Sequence, residues 1–165
     1  MNILGKTDAF WKEKYNGPFI GILFSIFIYW TNPELSKWKD FIKEIPNVGM
    51  WAFGFLLTFL GIILQGGSST IEWMKSREVL FQRFISFNKR VVILSVVLSV
   101  YAYFLGYFNF EWVQELLQKW DYFLEIIQKL LISMLAFLFV WFISDIMLFI
   151  KIFYLLIKKT NNKSQ

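Results

Sequence analysis

The residue whose position is most unusual for chemistry is Asp145, the one acidic side chain well inside a long apolar run. A charge near the centre of a membrane helix costs about 2.5–3.5 kcal/mol on insertion scales, so it persists where it is paired, protonated or exposed to water. Lys89 and Arg90 begin another apolar run at what would be the same depth, and either could pair with Asp145. We expect Lys151, six residues further on, to lie on a different helix face.

Asp145 has two functional interpretations and one structural alternative. The functional ones are an ion or proton pathway through the carboxylate, and a gate held by an Asp145–Arg90 contact. The structural alternative is a salt bridge that only fixes the order of the helices. These three interpretations make Asp145, Arg90 and Lys89 the candidate pore or gate residues.

The residue types that most enzymes need are missing or scattered. The 165 residues include no His and no Cys, which removes imidazole bases, thiol nucleophiles, Ser-His-Asp triads and the usual zinc ligands. An intramembrane aspartyl protease would need a second buried Asp. The Gly-Gly-Ser-Ser-Thr stretch at 66–70 lacks the Gly-Lys-Ser/Thr ending of a P-loop, and we interpret it as a turn and a helix cap. We therefore predict no enzyme activity, no metal and no cofactor.

The composition indicates that lipid is the solvent for much of the surface. Hydrophobic residues make up 57% of the chain and charged residues only 18%, whereas a soluble domain has about 45–50% and about 25%. Four apolar runs stand out, at 18–30, 48–64, 91–108 and 130–150. A spanning helix needs roughly 20 apolar residues, so the first run is short, and a re-entrant or interfacial segment is its alternative.

Proline and asparagine predict where these segments begin. Gly17-Pro18 is expected to break the chain before the first run. Asn32 is expected to cap a short amphipathic helix that ends near Lys43, with Pro46 marking the entry to the second span. Residues 1–159 then form one membrane domain, and the polar tail at 160–165 is expected to be disordered.

The distribution of basic residues predicts the orientation. With four spans, twelve Lys and Arg fall on the side of the two termini and the central loop, and five fall on the other side. The positive-inside rule then places both termini in the cytoplasm. We expect a bacterial inner (plasma) membrane protein.

The segment 70–90 is predicted to be a cytoplasmic amphipathic helix that continues into the third span. Phe81, Phe84 and Phe87 alternate there with basic residues. The helix could pack on its own bundle, lie on an anionic lipid surface, or bind a cytoplasmic protein partner. We expect no direct contact with nucleic acid, because the basic residues do not cluster on one face.

The polar stretch before the last run carries a helical seam. Its apolar residues alternate in steps of three and four, as in a coiled coil, and they are Phe110, Val113, Leu117, Trp120, Leu124 and Ile127. This pattern predicts an extracytoplasmic extension of the last helix. The seam could pack against its own bundle or build a homo-oligomer.

The predicted fold class is thus an all-α integral membrane protein: a four-transmembrane-helix bundle with a cytoplasmic amphipathic helix and an extracytoplasmic extension. One functional hypothesis is a homo-oligomeric, channel-like or membrane-perturbing sensor or effector. Small polytopic chains rich in Lys, Ile and Phe are frequent in bacterial phage-defence and plasmid- or phage-borne loci, which makes antiviral defence one setting for it. The alternative is a non-conducting membrane-embedded binding protein, such as an immunity, exclusion or accessory subunit, that acts through a protein partner.

Overall fold

The computed structural model describes residues 8–31, 33–65, 72, 76, 78–107 and 121–161. Within these ranges the chain forms four long helices and no strand: α1 (Asp8–Trp30), α2 (Leu35–Gln65), α3 (Glu78–Tyr107) and α4 (Asp121–Asn161). The predicted all-α class is confirmed. Each predicted apolar run lies within one of these helices, apart from residue 108, which is outside the described part.

Among the described residues, three helical segments are long and apolar enough to cross a membrane: Leu35–Gln65, Phe84–Tyr107 and Tyr122–Tyr154. The apolar stretch of α1, Tyr15–Trp30, is shorter. Large apolar side chains also cover the outside of the bundle, and Trp30 and Trp51 are each 82% exposed. These features indicate a membrane-embedded protein, because exposing so much apolar surface to water would be strongly unfavourable.

The two prolines expected to interrupt the helices do not do so. Helix α1 continues through Pro18 and α2 through Pro46, so the predicted break at Gly17-Pro18 is wrong. The predicted short helix ending near Lys43 is also wrong, because it and the second span are one helix that begins at Leu35. Apolar helices can continue through a proline when tertiary packing holds them. Next to Pro46, the Ser99 hydroxyl of α3 lies 3.4 Å from the Pro46 carbonyl oxygen and joins the two helices at this level.

The continuity of α2 across Pro46 follows from its packing. Its buried residues recur every seven positions on both sides of the proline, at Leu35, Ile42, Gly49, Leu56 and Ile63. A seven-residue repeat keeps one stripe of the helix against its neighbour. A break at Pro46 would move the residues beyond it out of this stripe.

The helices pack in the spatial order α1, α4, α3, α2, so that α1 lies mainly on α4 and α2 mainly on α3. Neighbours are antiparallel: Phe59 near the end of α2 contacts Phe84 near the start of α3. At the far end of the same pair, the Lys43 ammonium lies 5.9 Å from the centre of the Tyr107 ring. We call the end of the bundle that carries Lys89, Arg90 and Lys151 the basic end.

Helices α2 and α3 approach most closely at Gly49. A Cβ atom at this position would lie 3.0 Å from the Ser95 carbonyl oxygen and would collide with the Ser99 hydroxyl. Small residues at such contacts are typical of membrane helices, because packing and not water drives their association. Gly54 and Gly61 on the same helix have open space where a Cβ would be.

An aromatic cluster joins α2, α3 and α4 at the basic end. The Phe59 ring of α2 lies 6.1 Å from Phe84, 5.8 Å from Phe149 and 4.5 Å from Phe153, centre to centre. Phe84 is fully buried and Phe87 is 4% exposed. For these two residues of the segment 70–90, the structure therefore favours packing on the protein's own bundle over an exposed apolar face.

An apolar hollow of about 220 Å³ lies between α1, α2 and α4. Phe24 and Ile28 line it from α1, while Phe41 lines it from α2 and Phe139 from α4. It exists because α1 packs on α4 and makes few contacts with α2.

Gly49→Ala should destabilise the protein by about 1–3 kcal/mol, the usual cost of overpacking a tight contact. Adding Ser99→Ala should recover part of the loss, since the hydroxyl collision disappears while the Ser95 carbonyl contact remains. Unfolding of the purified protein in detergent measures both. Gly54→Ala is the matched control and should be neutral or up to about 1 kcal/mol stabilising. Equal effects of Gly49→Ala and Gly54→Ala would mean that α2 and α3 do not approach closely at Gly49.

Candidate gate and polar cleft

The predicted contact between Asp145 and a base of the third span is present in the structure. The Arg90 guanidinium of α3 donates a hydrogen bond from Nη2 to Asp145 Oδ1 of α4. The Asp145 side chain is 1% exposed and that of Arg90 is 21% exposed. The antiparallel packing of α3 and α4 places them at one level, which also brings the Tyr101 hydroxyl 3.0 Å from the Leu131 carbonyl oxygen further along the pair.

The structure distinguishes between the two predicted bases. Lys89 is exposed at the surface of α3, whereas its neighbour Arg90 is turned towards α4. Successive residues point about 100° apart around a helix, so only one of the two can face Asp145. Arg90 also lies over the Phe87 ring, with Cζ 5.0 Å from its centre, and this contact further orients the guanidinium.

The ion pair is asymmetric in burial and in hydrogen bonding. Asp145 Oδ2 is buried and has no hydrogen-bond partner among the described residues. A buried charge is costly to desolvate, and an ion pair offsets that cost only when its remaining lone pairs are also satisfied. Arg90, in contrast, keeps partial access to the outside. Among the described residues, Arg90 is the base in direct contact with the buried carboxylate.

Helix α1 covers Asp145 from the other side, and a glycine allows it. A Cβ on Gly17 would lie 2.9 Å from Asp145 Oδ1 and 2.8 Å from Trp141 Cδ1. One turn later a Cβ on Gly21 would lie 3.0 Å from Phe137. The two glycines thus let α1 lie directly on α4 over the buried carboxylate.

A polar cleft of about 500 Å³ opens beside this contact at the basic end. Tyr15, Asn16 and Phe19 line it from α1, and Ser144, Leu148 and Lys151 line it from α4. Gly17 and Asp145 are the buried members of its lining. Lys151 lies on a different face of α4 from Asp145, as expected, because Asp145 is buried and Lys151 is exposed. Both residues nevertheless line this cleft: Ser144, Leu148 and Lys151 form one stripe, and Asp145 lies at its edge.

Further polar side chains are buried along α3, and they were not among the predicted site residues. Asn88 is fully buried, and neither its amide nitrogen nor its amide oxygen has a hydrogen-bond partner among the described residues. Ser95 and Ser99 are also buried, but they donate to the carbonyls of Val92 and Ser95 in their own helix. The sequence signal that could have identified them is their spacing: Asn88 and Ser95 are seven residues apart and therefore lie on the same inward-facing stripe of α3.

The predicted seam is only partly within the described residues. Phe110, Val113, Leu117 and Trp120 lie outside them. Leu124 is 5% exposed and Ile127 is half-buried. Further along the same register Leu138 and Asp145 are buried, whereas Met134 is 52% exposed. The described part of the seam therefore faces mainly into its own bundle.

Arg90→Gln should destabilise the protein more than Asp145→Asn, because it leaves the more deeply buried charge without a partner. Losing one member of a buried pair costs about 3–5 kcal/mol. For Asp145→Asn the cost should be lower, about 2 kcal/mol, because the Arg90 that is left without a partner is partly exposed to solvent. The double variant should lose less than the sum of the single losses. Unfolding in detergent measures all three.

Glu34→Gln is the control, because the Glu34–Lys37 pair is exposed on both sides, at 62% and 71%. Its effect should be within about 0.5 kcal/mol. Strictly additive losses at positions 90 and 145 would mean that the two side chains do not interact in the folded protein.

Compared with known proteins, the chain matches no family model, and neither the curated protein sequences nor the solved structures give a match.

Proposed function

We propose that the chain is a non-enzymatic, membrane-embedded effector of the channel-like or membrane-perturbing class, with the Arg90–Asp145 pair as its latch. The observation that carries this proposal is an ion pair between two helices, one member of which is almost fully buried beside an open polar cleft. Ionisable residues within membrane helices commonly mark ion pathways or switches. The latch holds α3 to α4 at the basic end.

The position of the pair supports a switching role. Lys37–Glu34 and Lys129–Glu125 join residues three and four apart in sequence and therefore fix no tertiary contact. The Arg90–Asp145 pair joins residues 55 apart. Asp145 lines the cleft and Arg90 is partly exposed, so a change of charge or hydration in the cleft can compete with Arg90 for the carboxylate. Release of the pair would loosen the contact between α3 and α4.

The buried polar groups of α3 support a pathway next to this latch. Asn88 has no hydrogen-bond partner among the described residues and precedes Arg90 by half a turn. Buried polar groups are normally satisfied, so each exception in a native structure needs an explanation. We propose that water reaches Asn88 once α3 and α4 separate, which would extend the polar cleft into the bundle.

We also propose that the protein forms a homo-oligomer, but the described part of the seam offers little surface for contacts between copies. The described continuation of the seam faces its own bundle, so contacts between copies would use residues 110–120 or the exposed apolar surface of the helices. We further propose that the protein lies in a bacterial inner membrane with both termini in the cytoplasm, which places the basic end inside. Antiviral defence is the setting we propose for the effector.

One observation favours the alternative, a non-conducting binding protein. The basic end exposes a polar strip of α3 that includes Gln82, Ser86 and Lys89. Such a strip could dock a cytoplasmic protein partner without any opening of the bundle. An immunity, exclusion or accessory subunit would act in this way.

The test is ion flux through liposomes that contain the purified protein, together with its oligomeric mass in detergent by light scattering. Asp145→Asn should raise the flux by up to about 30-fold, because a latch of about 2 kcal/mol changes the open population by that factor at 1.4 kcal/mol per tenfold. The oligomeric mass should stay that of the wild type.

Glu34→Gln is again the matched control, since it removes a carboxylate of an ion pair without touching α3 or α4, and it should leave the flux unchanged. Flux equal to that of protein-free liposomes for the wild type and for Asp145→Asn, with both proteins folded and of one mass, would overturn the effector proposal. The binding-protein alternative would then take its place.

A further inference from the structure

The polar cleft between α1 and α4 combines groups of opposite charge with apolar walls. Lys151 contributes an ammonium group, and Asp145 contributes a carboxylate whose Oδ2 has no hydrogen-bond partner among the described residues. Asn16 and Ser144 add neutral donors and acceptors, while Phe19 adds apolar surface. This set is suited to a ligand that carries both charges and an apolar part.

The two charges are separated along the helix. Asp145 and Lys151 are six residues apart, which is about 9 Å along the axis of α4. A flexible lysine side chain shortens that gap from its end. One small ion could not satisfy both residues, whereas a ligand with a cationic group and an anionic group several bonds apart could.

The level of the cleft indicates where such a ligand would come from. Lys151 is exposed and lies seven residues, or about two turns, before Lys158 and Lys159, where the apolar sequence of α4 gives way to basic residues. Lys89 and Arg90 lie at the same end on α3. Apolar helices that give way to basic residues meet the lipid headgroups at that level. The cleft also opens on the outside of the bundle, between two helices whose exposed faces are apolar.

We propose that this cleft binds the headgroup of a phospholipid that carries a phosphate and a primary ammonium. Lys151 and the polar side chains of Asn16 and Ser144 would bind the phosphate oxygens. The ammonium would donate to Asp145, which needs a further donor because Arg90 satisfies only Oδ1. The acyl chains would lie along Phe19 and Leu148. This proposal is independent of conduction, since a headgroup can bind whether or not the bundle opens.

A simple cation site fits the observations less well. Among the described residues there is no group of three or more acidic side chains that could hold a metal ion. The lysine in the lining would also repel a cation. A purely anionic ligand, in turn, would leave the free oxygen of Asp145 without a donor.

The test is native mass spectrometry of the purified protein titrated with dioleoyl phospholipids of three headgroups: ethanolamine, choline and glycerol. Ethanolamine has the primary ammonium, choline has no N–H donor, and glycerol has no cation. We expect the ethanolamine lipid to bind about tenfold tighter than the other two, the factor that one charge-assisted hydrogen bond supplies. Equal binding of the ethanolamine and choline lipids, or tightest binding of the glycerol lipid, would overturn the proposal.

Two lysine variants locate the site. Lys151→Gln should weaken all three lipids about tenfold, because it removes the phosphate contact. Lys89→Gln removes the same charge from the same end but lies outside the cleft, and it should change binding less than about twofold. Equal effects of the two variants would mean that the lipid is attracted by the basic end as a whole and not bound in the cleft.

Asp145→Asn tests the contact with the lipid ammonium separately from the contact with the phosphate. It should abolish the preference for the ethanolamine lipid over the choline lipid and leave the remaining affinity in place. If this variant fails to fold, the headgroup comparison on the wild type and the two lysine variants still decides the proposal. A positive result here with no ion flux would uphold the lipid site and overturn only the effector function.

Discussion

A carboxylate inside an apolar bundle needs a counter-charge, and Asp145 obtains it from a different helix. Several other features of the basic end depend on this need. Helix α3 must present Arg90 and not Lys89 towards α4, which sets its rotation and buries Phe87 beneath the guanidinium. Helix α1 can cover the pair only because Gly17 has no side chain. A single electrostatic requirement therefore fixes how three of the four helices are oriented at this end.

The rest of the bundle is held by packing of a different kind. Helices α2 and α3 meet along a heptad stripe with Gly49 against Ser95 and Ser99, where close backbone approach and dispersion forces replace the hydrophobic effect. Helices α1 and α4 form a second pair, with Gly17 and Gly21 at their contact. The two pairs meet through the Arg90–Asp145 contact and the phenylalanine cluster around Phe59. Weak contact between α1 and α2 leaves the apolar hollow open.

The apolar runs were sufficient to predict the helices, and the isolated acid narrowed its partner to Lys89 or Arg90, because both inferences depend on the cost of polarity in lipid. The continuity of α1 and α2 could not be predicted in this way. Local rules for Pro18 and Pro46 favour breaks, and only tertiary packing overrides them. The helical angle places Lys151 and Asp145 on different faces of α4. The sequence could not show that one wide cleft is lined by both residues. Asn88 could not be singled out from its local sequence, because it precedes the apolar run at 91–108 and adjoins Lys89 and Arg90, where a polar residue is ordinary.

The hollow between α1, α2 and α4 has a thermodynamic consequence. Its lining is apolar, so water gains nothing by entering the space of about 220 Å³, and the side chains around it lose van der Waals contacts wherever it stays empty. In a bilayer, hydrocarbon from a neighbouring acyl chain restores those contacts. The acyl chain then fills the hollow, so protein and lipid together determine the packed volume of the bundle. Hydrostatic pressure or a change of chain length in the surrounding membrane would act on this bundle through the space that the polypeptide itself leaves unfilled.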